Sequence, residues 1–212
     1  MKLYDYLPSQ NAWKVRLLLN HLGIEYDTVP VSIFEGEGQQ PEFLARNPVG
    51  AVPVLELDDG RTLAESNAIL IYLAEGTPYL PEDSWERAQV ARWMFFEEDY
   101  IQNGIASLRH WTMTGKIRNR SEQIIAQKRA IGMKTLRILN HWLSEHDFLA
   151  AGRYTIADMA VFAYTAFADE AGLRLEDFPA VMRWIERVRA QPGFLATVHT
   201  YSIDPHSANE LP

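Results

Sequence analysis

The apolar pattern changes character once along these 212 residues, and that change constrains the fold more than any other feature. Up to Glu75, strand and helix signals alternate. Lys2 to Tyr6 reads as a short strand. Trp13 to Leu22 reads as a helix, with Val15, Leu18, Leu19 and Leu22 on one face, and Gly23 suits its left-handed C-terminus. A second strand is expected over Glu25 to Val31, then a polar, glycine-rich loop from Phe34 to Gln40. Pro41 opens one or two helical turns reaching Arg46. Val54 to Leu57 and Thr62 to Ala64 form a hairpin around Asp58, Asp59 and Gly60. A helix from Ser66 closes the unit near Glu75. The order is βαβ followed by ββα, which a right-handed parallel crossover and a mixed four-stranded sheet with helices on its faces satisfy.

Beyond Gly76 only helical patterns remain. The stretch 76–84 reads as a linker. Ser84 to Leu108 reads as one long helix. Arg118 to Ser144 reads as another, its buried stripe expected at Ile131, Ile138, Leu139 and Trp142. Thr155 and Asp158 form a capping box opening an apolar helix through Phe167. Asp158 is therefore expected to be structural, its loss costing about 0.5–2 kcal/mol. Pro179 starts a further helix, and Gly193 to His199 is expected to form a short last one. The expected organisation is an α/β domain over 1–75, a linker over 76–84, an all-helical domain over 85–201 and a polar tail over 202–212.

Composition narrows the function. At 47% hydrophobic and 23% charged, the chain can bury a real core. A formal net charge of -8 argues against a nucleic-acid partner, whose phosphates demand a basic face. The absence of cysteine excludes disulfides, thiolate metal sites and a protein thiol nucleophile, so any thiol chemistry comes from a ligand. The histidines show no metal-ligand spacing, so no metal is expected. No apolar run is long enough to span a bilayer, and the opening residues lack a secretory core. Cytoplasmic placement, without a membrane partner, is the expectation.

Three short motifs carry the chemistry. Val52-Pro53 precedes the apolar run Val54-Leu55. Proline has no N–H for a ladder, and the residue before it can offer its backbone N–H and C=O to a ligand. Tight entry into a strand also favours a cis bond there. Glu65-Ser66 stands where a strand gives way to a helix, and Ser66 brings a hydroxyl and free N–H groups suited to a carboxylate. Ser9, with Asn11, stands at the start of the first helix. A ligand thiol placed there meets a hydroxyl donor and the positive helix end, both of which favour the thiolate. Both residues also suit helix capping.

With these residues in order, the chain resembles the cytosolic glutathione transferases over almost its whole length. Ser9 matches the catalytic serine of the serine-type classes. Val52-Pro53 matches the cis-proline motif that pairs with the cysteinyl unit of glutathione, and Glu65-Ser66 the pair that holds its γ-glutamyl end. Asn47-Pro48, Pro41 to Leu44 and Thr155 to Asp158 also match family positions. The resemblance implies a thioredoxin-like N-terminal domain, an all-α C-terminal domain, glutathione as co-substrate, a small electrophile as second substrate and a homodimer. It also implies an electrophile pocket beside the first long helix, for which Tyr100, Asn103 and Arg109 are the candidates.

The class within the family is divided. Ser9 to Arg16 resembles the Ser-Ser-Cys-x-Trp-Arg-Val-Arg signature of the zeta-class isomerases, with Gln10 and Asn11 replacing the second serine and the cysteine. Asn11 is similar to the asparagine of the bacterial disulfide-reductase class, which usually carries threonine where Ser9 stands. Where relatives often hold the glycyl carboxylate with histidine or lysine, this chain has Gln39 and Gln40, which donate amide hydrogen bonds without charge. Transfer to an electrophile, a disulfide or a peroxide is the leading expectation. A zeta-like cis-trans isomerase and a non-catalytic binding protein of the same fold are the alternatives.

Overall fold

The computed structural model describes residues 1–199 and 201. Two compact units form. The first comprises Met1–Glu75 with the described residues from Pro192 onward, and the second is Gly76–Gln191.

In the first unit, β1 (Lys2–Asp5), β2 (Asp27–Pro30), β3 (Val54–Glu56) and β4 (Thr62–Ala64) make one mixed sheet in the order β2-β1-β3-β4. β1 runs parallel to β2 and antiparallel to β3, and β3 is antiparallel to β4. Between β1 and β2 lies α1 (Gln10–Leu22), ended by Gly23. α2 (Pro41–Leu44) and α3 (Ser66–Ala74) complete the unit. β2 is shorter than the sequence suggests, because residues 24–26 form no ladder bonds, and the loop before α2 coils into two 3-10 turns, Ile33–Glu35 and Glu37–Gln39. Trp13, Val15, Leu17, Leu18 and Leu19 of α1 are fully buried, as are Leu3, Val54 and Leu55 of the sheet and Ile69 and Leu70 of α3.

A buried ion pair fixes the passage from β1 into α1. Arg16 Nη1 donates to both Asp5 carboxylate oxygens at 2.5 and 2.6 Å, and Nη2 donates to the Leu7 carbonyl at 2.9 Å. Removing one partner would leave the other charge uncompensated, at about 3–5 kcal/mol.

Residues 192–199 form no helix, contrary to the sequence expectation for Gly193 to His199, and they pack with the α/β unit rather than the helical one. Their carbonyls are taken by side chains of α1 instead of by a helical ladder. Asn20 Nδ2 donates to Gly193 O at 2.8 Å and Trp13 Nε1 to Leu195 O at 3.2 Å, while Phe194 meets the Trp13 ring edge-on at 5.8 Å. Tyr201 then stacks on Tyr6 at 6.3 Å and meets Phe34 at 6.2 Å. The polar tail expected from Ser202 lies outside the described residues.

In the second unit, α4 (Ser84–Phe96) continues through a π-helical segment (Glu97–Ala106) into α5 (Ser107–Met113). α6 (Glu122–Glu145), α7 (Ile156–Thr165) and α8 (Pro179–Arg189) follow. α7 is the buried centre, every one of its residues being buried. The buried stripe of α6 is Gly132, Thr135, Leu136, Leu139 and Leu143. Of the expected stripe only Leu139 belongs to it. Ile138 is 37% exposed, and it and Trp142 line a cavity between α4 and α6.

Candidate functional site

Sheet register assembles the three sequence motifs. Tyr4 of β1 pairs with Val54 of β3, and Val54 pairs with Ala64 of β4, so these residues form one row across the sheet. Just beyond that row, at the same edge, β1 leads out toward Ser9, Val52-Pro53 leads into β3, and β4 leads out into Glu65-Ser66. α1 and α3 both begin at this edge and pack on each other. Two helix N-termini therefore present their unpaired N–H groups and positive dipole ends to one place, which favours a bound anion.

Each motif is held in a distinct way. The Val52-Pro53 peptide bond is cis. The turn before it is braced by Asn47, whose Nδ2 donates to Ala51 O at 2.8 Å and whose Oδ1 accepts from Val49 N at 3.1 Å. Asn47 is thus a buried support for the turn. Glu65 adopts φ 67°, ψ 110°, a left-handed conformation that costs a non-glycine residue about 1–2 kcal/mol. It is exposed, its carbonyl accepts from Ile69 N at 2.9 Å, and Ser66 beside it is buried.

Ser9 is the N-cap of α1. Its Oγ accepts from Ala12 N at 3.2 Å. A hydroxyl carries one donor besides its acceptor lone pairs, so this cap leaves the O–H proton available to a ligand. Capping therefore does not compete with the thiol-facing role expected of Ser9. Asn11 lies half-buried in the first turn of α1.

Gln39 and Gln40 are exposed on the loop before α2. Gln39 lies against the Val49–Ala51 turn so closely that a Cβ at Gly50 would come within 2.3 Å of its Nε2. Gly50, at φ 73°, permits both the turn and this approach. The Gln39 amide is therefore placed near the Val52-Pro53 wall, whereas no contact of the Gln40 side chain marks it out.

The three electrophile-pocket candidates do not form a cluster of one kind. Tyr100 is half-buried, its ring 5.0 Å from that of Phe96 and under Lys134 Nζ at 5.7 Å. Asn103 is exposed and accepts a hydrogen bond from Lys128. Arg109 is buried, its Nε donating to Glu170 Oε2 at 2.7 Å and its guanidinium lying 4.9 Å over the Phe167 ring. These contacts give Arg109 a structural role within the helical unit. A cavity of about 490 Å³ between α4 and α6 is lined by Arg92, Trp93, Phe96, Lys134 and Trp142 among others, and by none of the three candidates.

Two features of this edge escaped the sequence reading. Tyr201 covers Tyr6, only a few residues before Ser9, and no local pattern announces so distant a partner. Gln10 is buried although polar. A glutamine directly after the N-cap, on a helix whose apolar residues run from Ala12 to Leu22, was the available signal.

Family models for the glutathione S-transferase N-terminal domain and C-terminal domain match residues 1–75 and 97–192. The chain belongs to the glutathione S-transferase family. It is 32% identical to glutathione S-transferase F13 of Arabidopsis thaliana over 97% of this chain and 98% of that one. It is 30% identical to a maleylacetoacetate isomerase of Pseudomonas aeruginosa, covering 92% of this chain and 93% of that one. The crystal structure of a glutathione S-transferase from Pseudomonas fluorescens superposes with a TM-score of 0.89 at 38% identity, over 92% and 96% of the two chains. The family's co-substrate is glutathione, and the fold is the thioredoxin-like and all-helical pair that the resemblance implied. Among the described residues no helix is long and apolar enough to cross a membrane, and no His, Cys, Asp or Glu group is arranged to hold a metal ion.

Proposed function

We propose that this family member binds glutathione along the sheet edge and activates its sulfur for attack on an electrophilic carbon, a disulfide or a peroxide. The single observation that carries the reading is the meeting of Ser9, the cis Val52-Pro53 bond and Glu65-Ser66 at one edge beside two helix N-termini. Val52 offers its backbone to the cysteinyl unit, Glu65 and Ser66 hold the γ-glutamyl end, and Gln39, with Gln40 beside it, donates to the glycyl carboxylate. Ser9 donates its hydroxyl proton to the sulfur while its oxygen remains the helix cap, and Asn11 supports it. A hydrogen bond to a charged acceptor contributes about 1.5–3 kcal/mol, and the helix end about 0.3–1 kcal/mol. Together these suffice to lower a thiol pKa by about two units, or 2.7 kcal/mol. Proximity to the second substrate adds to the acceleration. The protein acts as a cytosolic homodimer, in keeping with its family.

Ultraviolet titration of the bound thiolate tests this reading. The wild-type complex should ionise about two units below free glutathione, and Ser9→Ala should restore most of that difference and slow turnover at least 100-fold while leaving the circular dichroism unchanged. An unshifted thiol in the wild-type complex would refute the proposal. Absence of calorimetric binding at millimolar glutathione would instead favour a non-catalytic role. The isomerase reading has support from the Pseudomonas aeruginosa relative and from Trp13-Lys14-Val15-Arg16. Turnover of maleylacetoacetate exceeding that of an aryl halide would select it.

A further inference from the structure

Two buried polar groups flank Ser9 with nothing to bond. Gln10 is 1% exposed, and neither its Oε1 nor its Nε2 has a hydrogen-bond partner among the described residues. Tyr6 is also 1% exposed, and its hydroxyl is likewise unpartnered. Both belong to the same short stretch as Ser9, since the Tyr6 carbonyl accepts from Ser9 N at 2.8 Å and Gln10 is the first residue of α1 after the Ser9 cap. An unmet polar group in a protein interior costs stability that an apolar side chain of the same shape would not. Such a cost at a ligand site is explained when the ligand supplies the partner.

We propose that Gln10 is a specificity-determining residue that recognises a carbonyl oxygen conjugated to the reacting carbon of the second substrate. This rests on the reading of Ser9 as the thiol-activating residue. In that reading the sulfur, the cysteinyl backbone, the γ-glutamyl end and the glycyl carboxylate of glutathione all have other partners. The carboxamide of Gln10 therefore remains for the electrophile. Its three side-chain torsions let it turn toward a ligand at Ser9 without backbone movement. When the thiolate sulfur bonds to the β-carbon of an enone, the carbon–carbon π pair shifts and the carbonyl oxygen takes on the charge. The Gln10 N–H donates to that oxygen, and a hydrogen bond to the developing charge is worth more than one to the neutral carbonyl, so it favours the transition state. The α-carbon then takes a proton from solvent, balancing the one the thiol released. Displacement on a benzylic halide forms the same sulfur–carbon bond, expels halide and places no charge on oxygen.

The test compares wild type with Gln10→Met, which keeps the length of the side chain and removes both polar atoms. kcat/KM is measured with glutathione and either trans-4-phenyl-3-buten-2-one or 4-nitrobenzyl chloride, and the melting temperature is measured without ligand. The enone-to-halide ratio of kcat/KM should fall roughly tenfold, the size of one hydrogen bond to a charged acceptor. The melting temperature of the ligand-free variant should rise by about 2–4 °C. A merely structural glutamine would move the melting temperature down and leave the ratio alone, and either result overturns the proposal. Absence of glutathione-dependent turnover of both compounds by the wild type overturns this inference together with attack on an electrophilic carbon in the proposed function. An unchanged ratio with wild-type turnover intact overturns the inference alone.

Discussion

At the scale of single residues, Asp158 shows how a local motif understates its own weight. The sequence identifies it as the acidic half of a capping box, and the structure contains that box: Thr155 N donates to Oδ2 at 3.0 Å. Oδ1, however, also accepts from Leu149 N at 3.0 Å and from Trp184 Nε1 at 2.9 Å. One carboxylate thus ties the start of α7 to the loop before it and to α8. Removing it leaves several buried donors unmet, so Asp158→Ala should cost about 4 kcal/mol in urea unfolding, well above a simple cap. Burial pushes the Asp158 carboxyl up to about 6, with these donors pulling the other way. Its pKa is then higher folded than unfolded, so below about pH 6 the folded state holds more protons. Stability contributed through this group therefore rises as pH falls from 7 toward 4. The difference in unfolding free energy between wild type and Asp158→Asn should drift in that direction, and a difference independent of pH would show the carboxyl to be unshifted.

At the scale of elements, periodicity read the helices well and their faces less well. A 3.6-residue pattern locates α4, but it cannot reveal the π-helical segment over Glu97–Ala106 that widens the same rod. That segment is held by Gln102 Nε2 donating to Glu97 Oε1 at 2.7 Å, with Ser107 Oγ donating to Gln102 O at 2.9 Å. It also carries Gly104 against α6. A Cβ at Gly104 would lie 2.8 Å from the Gly132 backbone nitrogen and 3.1 Å from its Cα, so the two helices would have to part. Alanine gains about 1 kcal/mol of helix propensity over glycine, but overpacking against backbone costs about 1–3 kcal/mol and weakens the contacts around it. Gly104→Ala should therefore destabilise by roughly 2 kcal/mol. Gly132→Ala makes the useful contrast. Its Cβ would meet Leu173 Cδ1 at 2.6 Å, the far end of a flexible side chain that can turn aside. Its loss should stay below about 1 kcal/mol, and denaturant midpoints for the two variants would show whether backbone crowding or propensity decides.

At the scale of the whole molecule, the meeting of the motifs at the proposed glutathione edge was legible because its parts leave chemical marks on the chain. Proline stands before β3, serine at helix starts and Glu65 where a strand becomes a helix. The burial of Arg109 and its pairing with Glu170 were not legible because they depend on residues far away in sequence, as does the seating of Tyr201 on Tyr6. Long-range electrostatics carry a further consequence. Residues 1–75 hold five lysine and arginine side chains against eleven aspartates and glutamates, within a chain of net charge -8. Lys2, Arg16, Arg46 and Arg61 are each paired with a carboxylate, and Lys14 is fully buried. In the proposed site glutathione, net negative at neutral pH, would thus meet helix ends, amides and hydroxyls within a field of its own sign. Salt screens that opposing field over about 10 Å at 0.1 M while leaving short hydrogen bonds largely intact. Calorimetry between about 0.02 and 0.2 M salt should therefore find glutathione affinity unchanged or up to about twofold tighter at the higher concentration. A site built on a free lysine or arginine would weaken severalfold over the same range, and that outcome would mean that a cation now engaged elsewhere turns to the ligand.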